Sequence, residues 1–212
     1  MVNVAKVQKS LHILGEMLEK RSDQSNKWKE AHASLKKKMS DDVVVDGSTL
    51  HFDLGWLHII IDLEENWDIT NLNKSKRSYL QNVQDEAEHF IFVLTKENTK
   101  RYIGVPNDLL TFVSEQLEKT GEVFLLNELQ YNVTKHVLVD PHHVVHDEDE
   151  KKHILQKFNI QKFEHFPLIL STDPIVRFIG GKPGDLIRIT RYLENAGDQT
   201  FYRFCVSAQF SK

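Results

Sequence analysis

The sequence predicts an α/β layer domain over residues 1–135 and a small α+β unit over residues 136–212. Three observations carry this reading. Residues 90–94 form a continuous apolar run of strand length, flanked by apolar residues at helical spacing, which is the pattern of a strand covered by helices. Four of the five prolines (Pro141, Pro167, Pro174, Pro183) fall in the last third, where short elements joined by sharp turns are therefore expected. The net charge of −4 conceals a shift along the chain: residues 1–40 carry +5, residues 41–135 carry −9 and residues 136–212 are neutral.

In the first part, Val4, Val7, Leu11, Leu14 and Leu18 recur every three or four residues and predict an amphipathic helix. A second, polar helix is expected over 25–39. It ends in Lys36-Lys37-Lys38, cations that favour the negative end of a helix dipole. Short strands are expected at Val43-Val44-Val45, 50–52 and 57–61, a meander turning at Gly47 and Gly55. Residues 73–87 read as a polar helix. Pro106 marks a further helix start, followed by the stripe Leu109, Leu110, Val113, Leu117.

In the tail, residues 136–139 read as a strand. Asp147 with Glu150 three positions on signals a helix start ahead of Ile154, Leu155 and Phe158. Asp173-Pro174 signals another, with the acid as N-cap and the proline in the first turn, leading a short helix that stops at Gly180-Gly181. Residues 186–191 alternate apolar and polar as a half-buried strand does. Asn195-Ala196-Gly197-Asp198 makes a turn, and residues 201–206 return as the partner strand.

Composition narrows the function classes. With 40% hydrophobic and 27% charged residues, 9 Gly and 5 Pro, collagen-like and disordered chains are excluded. Cys205 is the single cysteine, which rules out an intrachain disulfide and a cysteine zinc site and fits a small core residue. The most apolar stretch, residues 56–61, is too short to span a bilayer, and His12 and Glu16 interrupt the first apolar segment, so an intracellular soluble protein is expected.

The chemistry-bearing clusters are incomplete. His142 and His146 stand four apart, but Pro141 precedes them and acids follow, so a solvated loop is expected rather than a metal site. A metal-dependent nuclease needs an acid near one strand and an acid-x-Lys triplet on the next. Asp53 and Asp62 lie near strand ends, yet Asp62-Leu63-Glu64 is followed by Glu65, and Lys96 has no acid two residues before it. Gly180-Gly181-Lys182-Pro183-Gly184 lacks the spacing of a phosphate-binding loop and reads as a turn. Lys36, Lys37 and Lys38, with Trp28 nearby, are candidates to face a DNA backbone, with a solvated helix face as the equal alternative. A nuclease-like enzyme and a free-standing DNA-binding factor are therefore the alternatives to any structural role.

The tail carries a more specific signal. The order His136-x-Leu138-Val139, Pro141-x-His143, Phe166-Pro167, Asp173-Pro174, Arg177-Phe178, Gly180, Gly184, Ile187, Ile189, Ala196-Gly197 and Tyr202-Arg203 resembles the assembly domain of the fifth subunit shared by the eukaryotic nuclear RNA polymerases and of its shorter archaeal counterpart. Residues 124–133 resemble the eukaryotic form just upstream of that domain. The departures are Asp140 inserted before Pro141, Phe166 for leucine, Pro183 for a basic residue, and Ser207 to Lys212 beyond the usual end.

The resemblance implies a non-catalytic subunit of a multisubunit DNA-directed RNA polymerase with no cofactor, metal, membrane or small-molecule substrate. Its assembly domain would dock on the largest subunit near the small shared assembly subunit. Its first 135 residues would form a jaw near downstream duplex DNA, similar in topology to restriction-endonuclease domains without their active site. Within that frame Asp173 and Pro174 cap and start a helix, and Gly180, Gly184 and Gly197 hold turns. Arg177 and Arg203 are candidates for charge-assisted hydrogen bonds. The drift from the family pattern points to a divergent lineage, with a large DNA virus the preferred source. Virion and host cytoplasm would then be the location, and the nucleus if the protein is cellular.

Overall fold

The computed structural model describes residues 4–40, 49–63, 87–95, 105–195 and 197–207. The expected strand at Val43-Val44-Val45, the turn at Gly47, the expected helix over 73–87 apart from Ala87, and Ala196 lie outside them. The chain divides into two compact units, Met1–Glu19 with Asn26–Tyr131, and Lys20–Ser25 with Asn132–Lys212.

Helix α1 (Val4–Arg21) belongs to the first unit as far as Glu19; there it buries Val7, Leu11, Leu14 and Leu18 and leaves Lys6 and Lys9 exposed, as the spacing requires. Helix α2 (Asn26–Ser40) buries only Ala31 and Leu35 fully and ends in a basic turn. Strands β1 (Thr49–Asp53), β2 (Leu57–Asp62), β3 (His89–Leu94) and β4 (Thr120–Leu125) form one sheet in that order.

Only β1 and β2 continue the expected meander, turning at Gly55 with φ +82°. β3 joins β2 in parallel, and β4 joins β3 in parallel. The reason is burial: every residue of β2 and β3 is buried, which demands a layer on each face and connections that cross over rather than hairpins. Helix α3 (Val105–Gln116) supplies one layer. Leu109, Val113 and, just past the helix, Leu117 pack with Phe90, Phe92, Leu94 and Val123. A side chain at Gly121 would begin 3.3 Å from Leu110, so glycine lets the helix lie close to β4.

In the second unit, β5 (His142–Val145), β7 (Leu186–Leu193), β8 (Gly197–Val206) and β6 (Leu168–Leu170) form a sheet in that spatial order. β7 is antiparallel to β5 and β8, and β6 runs parallel to β8. Helices cover both faces. Helix α4 (Glu148–Phe158) contributes Ile154 to a core with Val145, Phe166 and Leu186. Helix α5 (Pro174–Phe178) contributes Val176, with Ile179 just after it, to a core with Ile187, Ile189 and Cys205.

Several sequence expectations are corrected here. Residues 136–139 are not a strand. The 3-10 turn Val133–Lys135 is capped by the Asn132 side chain and runs into a tight turn closed by Val139 N–H donating to the His136 carbonyl at 2.9 Å. Val137 and Leu138 are 92% and 83% exposed, so in this unit they have no apolar layer to face and pair with no strand. The strand forms six residues later, which puts His142 on β5 rather than in a loop. β8 begins at Gly197, so Gly197 and Asp198 belong to the strand, with only Glu194 and Asn195 described as turn. β4 and β6 were not anticipated. Val123, Phe124 and Leu125 after Gly121 were the signal for β4, and three residues are too few to show alternation in β6.

Candidate assembly surface

The motif residues are set by local chemistry. The Asp173 carboxylate accepts from Ile175 N–H at 2.8 Å and Val176 N–H at 3.4 Å, with Pro174 in the first turn, so both start signals do what the sequence implied. Phe178 is buried and Gly180 (φ +73°) ends the helix.

Sequence reasoning missed a partner of this helix end. Arg21 is fully buried, its Nε donating to the Phe178 carbonyl at 3.2 Å and its Nη2 to the Arg177 carbonyl at 2.6 Å. A guanidinium here meets the last carbonyls of α5 and the negative end of its dipole. A side chain at Gly180 would begin 3.0 Å from Arg21 Nε, so this glycine makes room as well as the turn. The Gln24 amide donates to the Ile179 carbonyl beside it. The only sequence signal was a basic residue in the last turn of α1, which a solvated cap would equally explain.

The rest of the motif serves the sheet. Pro141 is exposed, and its carbonyl accepts from Thr190 N–H at 3.0 Å. His143 stands opposite Arg188 on β7, and Arg188 reaches Glu150 of α4 at 2.7 Å. The Pro167 carbonyl accepts from Phe204 N–H at 2.9 Å. Gly184 (φ +98°) donates to the Cys205 carbonyl at 2.9 Å. Arg203 donates to the Leu168 carbonyl at 3.2 Å, while Tyr202 packs with Phe158 and Phe166, and burial raises its hydroxyl pKa. His136 accepts from Leu138 N–H through Nδ1. The inserted Asp140 has two bonds: its carboxylate takes Arg191 Nε at 2.8 Å, and its carbonyl meets His142 Nδ1 at 2.6 Å.

The surface of this unit carries apolar side chains outside the cores: Val137 and Leu138 on the turn, Leu168 and Leu170 on β6, and Tyr192 and Phe201 on the β7–β8 hairpin. Arg191 lies 5.5 Å from the Phe201 ring centre, a cation–π contact on that hairpin.

Among the described residues of the first unit, Asp53 and Asp62, the candidate nuclease acids, do not come together. Asp53 lies opposite His58 at the start of β2, and Asp62 lies at its other end. Four residue steps along β2 separate the two levels, roughly 13 Å, too far for one metal ion to bridge the carboxylates. Asp53 is already engaged by Gly55 N–H at 2.8 Å, the main cause holding its carboxyl below the usual pKa, and by His58 at 3.3 Å. His51, 2.9 Å from His58, is pushed down to about 4, chiefly by burial and then by His58. Among the described residues no group of three histidine, cysteine or acidic side chains could hold a metal, and no helix is long and apolar enough to cross a membrane. Lys36, Lys37 and Lys38 are exposed on α2, and Lys38 donates to the Asp53 carbonyl.

Fold and site together define a mixed α/β protein whose motif residues are caps, turn formers and ladder partners, set in a small α+β module. Residues 131–205 match the family model described as RNA polymerase Rpb5, C-terminal domain. The DNA-directed RNA polymerase subunit Rpo5 of Methanococcoides burtonii is 35% identical over 77 residues, 36% of this chain and 96% of that protein. Rpo5 of Pyrococcus horikoshii is 43% identical over 77 residues, covering 36% of this chain and 92% of its own. The subunit rpabc1 of DNA-directed RNA polymerases I, II and III from Dictyostelium discoideum is 28% identical over 130 residues, 61% of this chain and 64% of that protein. That alignment is longer than the stretch from residue 132 to 212, so it extends into the first unit. The chain belongs to the Rpo5/Rpb5 family of DNA-directed RNA polymerase subunits.

Proposed function

We propose that the chain acts in transcription as a non-catalytic subunit of a multisubunit DNA-directed RNA polymerase, with its tail as the assembly domain and its first 135 residues as a jaw. The observation that carries this is coverage: nearly the whole length of an archaeal Rpo5 aligns within about a third of this chain. The tail docks on the largest subunit near the small shared assembly subunit, through the turn at Val137 and Leu138 and the exposed face of the β7–β8 hairpin. The motif residues from His136 to Arg203 hold that surface in shape. The jaw lies near downstream duplex DNA, with Lys36, Lys37 and Lys38 towards its backbone. Its restriction-endonuclease-like topology lacks an active site, consistent with the separation of Asp53 and Asp62. The protein is intracellular, and its departures from the family pattern fit a polymerase encoded by a large DNA virus.

Tagged full-length protein is expected to recover a complex with the largest polymerase subunit in near-stoichiometric amount. Replacing Val137 and Leu138 by serine should abolish that recovery without changing the circular dichroism. Recovery of the chain alone, or Mg²⁺-dependent DNA cleavage by the pure protein that is lost in Asp62→Ala, would overturn the reading.

A further inference from the structure

A cavity of about 240 Å³ opens beside β5 in the second unit. Lys20 lines it from the last turn of α1 and Asp23 from the segment after it, His142, His143 and His146 from β5 and its end, and Arg188 from β7. The Gln24–Ile179 hydrogen bond fixes the first of these segments within the unit. Two permanent cations, Lys20 and Arg188, thus line it with one carboxylate, Asp23, and Arg188 also pairs with Glu150 of α4 at 2.7 Å.

Thr190 N–H donates to Pro141, which makes that pair a hydrogen-bonded rung. The alternation of an antiparallel ladder then turns the N–H and C=O groups of His142 and Val144 away from β7, to the open edge of the sheet. His142 is held through Nδ1 on the Asp140 carbonyl. The pKa of His143 lies below its ordinary value because of burial first and then Lys20 and Arg188, with Asp23 opposing.

We propose that this cavity binds a small phosphate-class oxyanion, with Lys20 and Arg188 as its charged donors and the His143 ring beside them. The volume is that of about eight water molecules and falls short of the roughly 300 Å³ at which sites for larger organic ligands begin. An ammonium and a planar guanidinium are the donor set suited to tetrahedral oxyanions. The anion is inorganic phosphate, pyrophosphate, or the phosphate group of a nucleotide.

The test is calorimetric titration of the full-length protein with sodium phosphate, sodium pyrophosphate and uridine monophosphate at matched ionic strength, with NMR of the histidine ring protons. Saturable one-to-one binding is expected, and bound anion should raise the titration midpoint of the His143 ring protons. Lys20→Gln and His143→Gln should each weaken it about tenfold, the usual effect of losing one charge-assisted hydrogen bond. Tighter binding of uridine monophosphate than of both inorganic anions identifies a nucleotide as the source; the reverse order identifies the free ion. Absence of saturable binding at pH 6, or unchanged affinity in both variants with wild-type circular dichroism, overturns the proposal.

Discussion

Replacing Arg21 by methionine removes the guanidinium while keeping most of the apolar stem. Two charged hydrogen bonds to the Arg177 and Phe178 carbonyls are lost, at 2.6 and 3.2 Å. Hydrogen bonds to charged groups contribute about 1.5–3 kcal/mol each, and the shorter one should lie at the upper end. Because the Arg177 carbonyl is only partly buried, water recovers some of this, which sets the expected loss for the second unit at about 3 kcal/mol. Gly180→Ala should cost about 1–2 kcal/mol from the left-handed backbone alone. It should cost more with Arg21 present, because the new methyl would begin 3.0 Å from Nε. The double variant should therefore lose less than the sum of the two. Native-state hydrogen exchange of the Ile179 and Gly180 amides, which bond within this helix end, reads the unit locally. A loss below 1 kcal/mol for Arg21→Met, or additivity within about 0.5 kcal/mol in the cycle, would refute this account of the buried arginine.

Three further outcomes are expected. Asp173→Ala should lower the stability of the second unit by about 1 kcal/mol in urea denaturation, with Asp173→Asn recovering most of it, since the amide oxygen can also accept from Ile175 N–H. His51 has its folded pKa depressed to about 4 from an ordinary value of 6.5, so the unfolded chain takes up its proton first. Its contribution is complete above pH 6.5 and declines as pH falls towards 4; His51→Gln should flatten the slope of Tm between pH 7 and 4.5. Cys205 is fully buried and its thiol is pushed up to about 11, mainly by burial, so thiol reagents should fail to label it at pH 8 until denaturant unfolds the unit.

Local chemistry made some elements legible. Asp147 and Asp173 announced their helices because an N-cap acts within three residues of itself. The stripe in α1 and the alternation in β7 were visible because burial on one face imposes a period. The run 90–94 was legible as a doubly covered strand for the same reason. Signals of neighbouring sequence failed where a distant partner decided the outcome. Residues 136–139 look like a strand by composition, yet Val137 and Leu138 have no rung opposite them, while His142 to Val145 find theirs on β7, more than forty residues away.

The candidate nuclease acids show the same division. Their place near strand ends could be read from residue order, but which ends they occupy depends on antiparallel register, and register puts them at opposite ends of β2. The buried role of Arg21 has no sequence signature, because its acceptors lie 156 and 157 residues on. Family membership, the caps, the turns and the helix periods are thus contained in the chain order, since each depends on residues a few positions apart. Sheet order, the partner of Arg21 and the cationic cavity beside β5 arise when folding brings remote segments together, because burial and hydrogen bonding act through space.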